Sequence, residues 1–568
     1  MKFEHLVSIG YRDIFDDYDN VKIEELVKDI PTSNALEIIS YFLVQLHTLE
    51  RDSSIQIEFL RIWLSRLPQD IHQRINSFIT KINSSPRAQY NFLNNVSGLF
   101  LIETLLQNRN KLEQLDSLSP DQELKLFKAY LICSQKWIDK QVSKIKVGKI
   151  SKEEDLIKIL IPTQLPMQEI LEFKNFSLQI LKAVYFYKFC ETDTQFSSYL
   201  KIFLYEYRLD SWQRYLLNLL NLYTRKFERL ATSFRIEVPE GYPDALSFLQ
   251  LLSIDLNSFN KSDDFSSLRE RPIYQMGPNK FIILNLNFLV DKLYQGIQFD
   301  LARVLVKNSA TFNGKKIKNT VDFMSIFGKY FSETGLFCSI MDYVFERTNY
   351  KKLRASEIKA YINDGEPDYY MRDKSKVYLF EFKNVYISSI VKNSGDYTQI
   401  HSEIFKKLVS NLEGDAKGVS QLINSIKKLR NGEFNKFDDY DFNNVIIYPI
   451  IVYVDFSFNI SGINFILNQE FRKQIDDNKI TDTSKIKDLV LIDLDSLIKF
   501  QDLFRDKTLK INNCLNEYYD LIKKTRDLYL RITTFNIFIH NKTSNLEYGL
   551  PKMLQDEILS MMPFVQTK

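Results

Sequence analysis

GEPDYYMRDKSKVYLFEFKNVY, residues Gly365 to Tyr386, is two extended runs around a polar break. Met371 to Lys376 is polar, and Val377 to Ile387 is dense in β-branched and aromatic residues, so the stretch predicts a β-hairpin. Successive strand residues face opposite ways. Leu379, Glu381 and Lys383 therefore share one face of the second strand, while Tyr378, Phe380, Phe382 and Asn384 share the other. A turn centred on Lys374-Ser375 sets Asp368 opposite Glu381. Two acids and a lysine then converge beside an otherwise apolar strand.

Converging carboxylates make a hard, oxygen-donor site suited to Mg²⁺. Phosphoryl transfer uses such an ion to stabilise charge and activate water, with a lysine to hold the nucleophile or the scissile phosphate. Pro367-Asp368 with Glu381-Phe382-Lys383 resembles the signature of the PD-(D/E)XK nuclease superfamily. Pro-Asp also occurs at Pro120 and Pro243, but only the third copy has its acid-x-Lys triplet inside a β-run. The resemblance covers the motif and, more loosely, the residues around it in the C-terminal half. It implies a restriction-endonuclease-like domain in which Asp368, Glu381 and the backbone carbonyl of Phe382 hold Mg²⁺, with Mn²⁺ as a substitute. Lys383 would orient the attacking water or the phosphate. The superfamily core begins with a helix that often donates a further acid to the metal site. Phe327-Gly328 to Phe331-Ser-Glu333 resembles it, which makes Glu333 the expected third acid and Glu346 the reserve. Several branches carry a glutamine on the helix after the triplet strand, and Gln421 resembles it.

The chain has 568 residues, enough for several domains with substantial cores. Its 45% hydrophobic and 26% charged residues are ordinary for a globular protein. A net charge of +3 excludes a global electrostatic bias toward nucleic acid, so any such surface must be local. Four scattered cysteines (Cys133, Cys190, Cys338, Cys514) match neither zinc spacing nor a disulfide framework, as expected of a reducing cytoplasm. The mixed, acidic start is no signal peptide, and the longest apolar run, Val445 to Val454, is half a membrane span. No GxxxxGK phosphate loop occurs.

The expected class is α+β with several domains. Residues 1–240 read as a helical domain for sensing, partner recognition or dimerisation. Trp212, Tyr215, Leu216, Leu219, Leu220, Tyr223, Phe227 and Leu230 form its clearest apolar stripe. Residues 241–310 read as a connector with a hairpin around Gly277-Pro-Asn279 and a following helix. Residues 311–505 alternate strand and helix, which predicts a central mixed sheet. Residues 506–568 read as a helical extension. In the apolar run Asn444 to Asp455, Pro449 suggests an irregularity. Lys417 lies one turn from Gln421, and Lys427, Lys428 and Arg430 follow on the same helix as candidate contacts to backbone phosphates.

The resulting expectation is a cytoplasmic, Mg²⁺-dependent endonuclease acting on DNA rather than RNA. The helical region would meet a protein partner or a second copy, and no membrane is involved. By family analogy its setting is defence against phage or mobile elements. Two rival readings remain open: a nuclease-fold scaffold or nucleic-acid-binding protein without activity, and a structural helical protein with an incidental hairpin.

Overall fold

A computed structural model describes residues 5–49, 56, 61–84, 88–143, 150–224, 235–362, 364–411 and 413–561. It divides into two units. One comprises residues 1–145, 170–179 and 198–310; the other comprises 146–169, 180–197 and 311–568. The second unit opens its long final segment at the start of the expected nuclease-like domain. The division departs from the sequence expectation elsewhere. Residues 146–169 and 180–197 belong with the C-terminal segment, residues 241–310 belong with the N-terminal one, and 506–568 group with the second unit.

The first unit is mainly helical. Its long helices include Thr32–Leu49, Asn95–Gln107, Pro120–Val142, Trp212–Thr224 and Gln295–Lys307. Ser119 caps the 120–142 helix in a capping box with Gln122, as its Ser-Pro-x-Gln start dictates. Trp212, Tyr215, Leu216 and Leu219 are buried along one helix face, whereas Phe227 and Leu230 lie outside the described residues. The expected hairpin is present as Ile273–Gly277 with Lys280–Ile283, and Arg235–Glu237 adds a third strand.

The second unit holds a five-stranded mixed sheet. Its strands are β1 (Lys351–Arg354), β2 (Tyr369–Asp373), β3 (Lys376–Lys383), β4 (Ile446–Tyr453) and β5 (Val490–Asp493). They lie side by side in chain order. β1–β2 and β2–β3 pair antiparallel, while β3–β4 and β4–β5 pair parallel. Strands β3 and β4 are buried almost throughout, as strands covered on both faces must be.

The irregularity expected at Pro449 is present on one side only: toward β3, Lys376–Lys383 runs in unbroken register with Ile446–Tyr453. The reason is orientation. Ile446 N–H donates to Ser375 and Val454 N–H to Lys383, so even-numbered residues of β4 aim their backbone groups at β3. Pro449, an odd position, aims toward the β5 side, where an isolated Ile447–Ile486 bridge precedes it and the β5 ladder resumes at Ile450–Val490, one residue out of step. Without an N–H, proline cannot continue that pairing, and the ladder is interrupted there.

One face of the sheet is covered by α1 (Gly418–Arg430). Val419, Leu422 and Ile426 join Val377, Leu379, Ile447 and Ile451 in one buried cluster. Leu156, Ile157 and Ile161, from a segment far back in the sequence, enter the same cluster. On the other face Phe337 stacks on Phe382, with ring centroids 4.8 Å apart and planes within 14°. Phe337 ends a π-helical segment, Gly328–Phe337, between the α-helices Thr320–Phe327 and Cys338–Val344. No described helix is long and apolar enough to cross a membrane.

Candidate active site

Strands β2 and β3 join through Lys374-Ser375, with Lys374 at φ 54°, the left-handed backbone that a two-residue hairpin demands. Pairing runs from Asp373–Lys376 to Tyr369–Phe380. One step further along that register, Asp368 comes opposite Glu381. Asp368 Oδ2 accepts the Phe382 N–H at 2.7 Å, so the carboxylate is fixed by the backbone of the residue beside Glu381.

Lys383 completes the group. Its Nζ lies 2.9 Å from Glu381 Oε2 and 3.7 Å from Asp368 Oδ2. The Glu381 side chain is fully buried, and its Oε1 has no hydrogen-bond partner. Burial, reinforced by the negative charge of Asp368, pushes the Glu381 carboxyl well above the usual carboxylate range, against the pull of Lys383. For Lys383 burial acts downward, but Glu381 and Asp368 outweigh it and the ammonium ends above its ordinary value.

Glu333 comes from the π-helical segment. Burial and then the charge of Asp368 raise its pKa to about 7, while Lys383, Lys359 and Lys329 act in the opposite sense. The same segment is tied to the strand end by Asn384 Nδ2, which donates to Ser332 Oγ at 2.8 Å. π-Helical turns are rare and recur at functional sites, where the widened turn re-aims side chains. Glu346, the reserve acid, is exposed and bound to Arg505, so it plays no part here.

Gln421, on α1, is half-buried with a buried and unpartnered Oε1. Lys417 caps that helix and has no ion-pair partner among the described residues. Its fellow candidates behave otherwise. Lys427 donates to Asn478 Oδ1 at 3.2 Å, Lys428 to the Asp364 carbonyl, and Arg430 to the Phe442 carbonyl at 3.2 Å. These three cations tie loops of their own unit together. Lys428 and Ser425 in particular brace the turn before Asp368, Ser425 Oγ donating to the Gly365 carbonyl at 2.9 Å.

Two features, one in the site and one at the end of a neighbouring strand, had no sequence signal strong enough to single them out. Lys359 pairs with Glu366 at 3.0 Å and acts on both Glu333 and Asp368. Asp455, just past the end of β4, is buried with its Oδ2 unpartnered, and burial raises its pKa. It marks the carboxyl end of β4, the strand next to Lys383, where ligand sites of parallel sheets gather. The only hint was an acid closing the apolar run that begins at Asn444.

The donor set suits a divalent ion in part. Asp368 and Glu381 converge, and the orphaned Glu381 Oε1 is a buried acceptor that a cation would satisfy. Among the described residues, no three acid, histidine or cysteine side chains close on one point. The fit therefore rests on two carboxylates and a main-chain oxygen. No known family matches the chain, and neither a curated protein nor a solved structure matches it.

Proposed function

We propose that the second unit is a metal-dependent nuclease that hydrolyses phosphodiester bonds, with DNA as its substrate. The observation that carries this reading is the Asp368–Glu381–Lys383 cluster on adjoining strands, with a fully buried carboxylate oxygen left unsatisfied. A buried acid pair of this kind is costly to fold around unless it is used. Asp368, Glu381 and the Phe382 carbonyl would hold Mg²⁺, which supplies Lewis-acid stabilisation of charge on the phosphoryl oxygens. Lys383 keeps its proton at neutral pH, so it donates to the attacking water or to a phosphate oxygen. Glu333 titrates near neutrality and can take a proton from water in its ionised form. Lys417, with its uncommitted ammonium, is the phosphate contact that remains on α1.

The direct test is cleavage of supercoiled plasmid and of single-stranded DNA by the full chain in Mg²⁺, Mn²⁺ or EDTA. Cutting that requires the metal supports the reading; metal-independent cutting sinks it. The Glu333 assignment makes a separate prediction. Because its carboxyl is raised to about 7, its ionised fraction grows as pH rises through neutrality, and the cleavage rate should climb between about pH 6 and 8. Glu333→Gln should lower the rate and flatten that rise. An unchanged profile in the variant would remove Glu333 from the site.

A second reading is supported by the position of Lys383, which already pairs with both carboxylates. On that reading the unit is a scaffold or nucleic-acid-binding domain without chemistry. Calorimetric titration with Mn²⁺ separates the two: no binding at millimolar metal favours the scaffold.

A further inference from the structure

In the first unit, a cleft of about 720 Å³ opens between the end of the helix Thr194–Glu206 and the helix Pro243–Leu251. Its size falls within the range of small-molecule sites. Leu209 and Leu251, both half-buried, give it an apolar floor. Arg208 and Arg271 contribute guanidinium groups, and Tyr205, 85% exposed as a residue, adds an aromatic side chain. Ser247 and Gln250 add neutral hydrogen-bonding groups. The one acid in the lining, Glu206, is taken up by Lys307 at 2.6 Å, so the cleft is net positive. Asp255, outside the lining, also feels Arg271.

Both arginines are held in place by the protein. Arg208 Nη1 donates to Ser247 Oγ at 3.3 Å, and Arg271 Nη1 to the Ser253 carbonyl at 3.5 Å, which leaves most of each fork's donors available. Arg208 also occupies an unusual backbone position. The helix ends in paired bonds from Arg208 N–H to Tyr205 and from Leu209 N–H to Leu204, with Arg208 at φ 54°. Glycine is the usual residue at that position of a helix terminus. Here the position carries an arginine whose side chain lines the cleft.

We propose that this cleft binds a nucleoside diphosphate, independently of the nuclease reading. Planar guanidiniums suit the two-oxygen geometry of phosphate groups, and an exposed tyrosine face is a platform for a base. The two supports lie in one concavity, which a phosphate-only or an apolar ligand would not need.

The test is calorimetric titration of the full chain with ADP, GDP, CDP and UDP, and with pyrophosphate, in EDTA so that no metal bridges the phosphates. At least one diphosphate should bind, and pyrophosphate should bind it more weakly. Arg208→Gly should weaken binding by about 10- to 100-fold. Its Tm should hold or rise, because glycine relieves the left-handed backbone. Tyr205→Ala should weaken the nucleoside diphosphate and leave pyrophosphate unchanged. Failure of all four diphosphates to bind at millimolar concentration would overturn the proposal. So would wild-type affinity in both Arg208→Gly and Arg271→Gln.

Discussion

Asp368→Asn should lose both metal binding and cleavage, while Lys383→Gln should lose cleavage and keep the metal. The two outcomes follow from different roles. Asparagine retains an oxygen that can accept the Phe382 N–H, now made at 2.7 Å, so the hairpin end keeps its local bond and only the charge is removed. A site of two carboxylates reduced to one binds Mg²⁺ or Mn²⁺ poorly. Glutamine at 383 removes the ammonium that shares both carboxylates, leaving them free for the cation. The loss of a positioned charge stabilising the transition state lowers the rate by about 10²–10³-fold. Mn²⁺ titration and plasmid cleavage, run on the same preparations, read the two properties separately. Wild-type cleavage by Asp368→Asn would refute the site. Loss of metal by Lys383→Gln would reassign the lysine to holding the carboxylates in place. Should the wild type bind Mn²⁺ through Asp368 yet leave DNA uncut, the site is a gated one that awaits a partner.

The hairpin was legible because its information is local. Turn residues, alternation and the spacing of Asp368, Glu381 and Lys383 all lie within 16 residues of one another, and the register follows from where the turn falls. The strand Ile446–Tyr453 was equally readable as an unbroken apolar run with an irregularity at Pro449, but the side on which that irregularity falls was not. That depends on which neighbour the backbone of Pro449 faces, which the sequence near Pro449 does not say. The π-helical segment left a fainter trace. Phe323, Phe327 and Phe331 recur every four residues, and the next buried apolar residue, Leu336, comes five later. That step is the width of the wider turn, in the segment that carries Glu333.

What stayed hidden was long-range address. Leu156, Ile157 and Ile161 read as the apolar side of one more helix in a helical region, yet they pack into the core of the sheet unit. Gly462, at φ 100°, brings its backbone so close to Ile157 that a Cβ would lie 2.6 Å from Cγ1. An amphipathic helix advertises that it will be covered, never by what. The same limit explains Lys427, Lys428 and Arg430. A cationic helix face looks alike whether it meets phosphate or the carbonyls of its own loops, and here the loops take it.

A site built for chemistry should cost stability, which gives a test independent of substrate. Lys383→Met leaves Glu381 fully buried beside Asp368 with no counter-charge, so it should destabilise the fold by about 3–5 kcal/mol at neutral pH. The sign of the pH dependence follows from the direction of the shift. The folded carboxyl of Glu381 is raised above its unfolded value, so the folded state holds the proton more tightly. The penalty is therefore absent in acid below the ordinary carboxylate pKa and grows as pH rises above it. Adding Glu381→Met to the same chain replaces both buried charges with side chains of like length in an apolar strand flanked by Leu379 and Ile451. The double variant should recover the loss and exceed the wild type by about 1–4 kcal/mol, as buried ion pairs replaced by hydrophobes commonly do. Urea unfolding of wild type, single and double variants at acid and neutral pH measures all three quantities. A double variant less stable than either the wild type or Lys383→Met would mean that the pair is a structural brace. A more stable, metal-blind double variant would mean that the strand has kept two buried charges against its own stability, and function is the remaining reason to keep them.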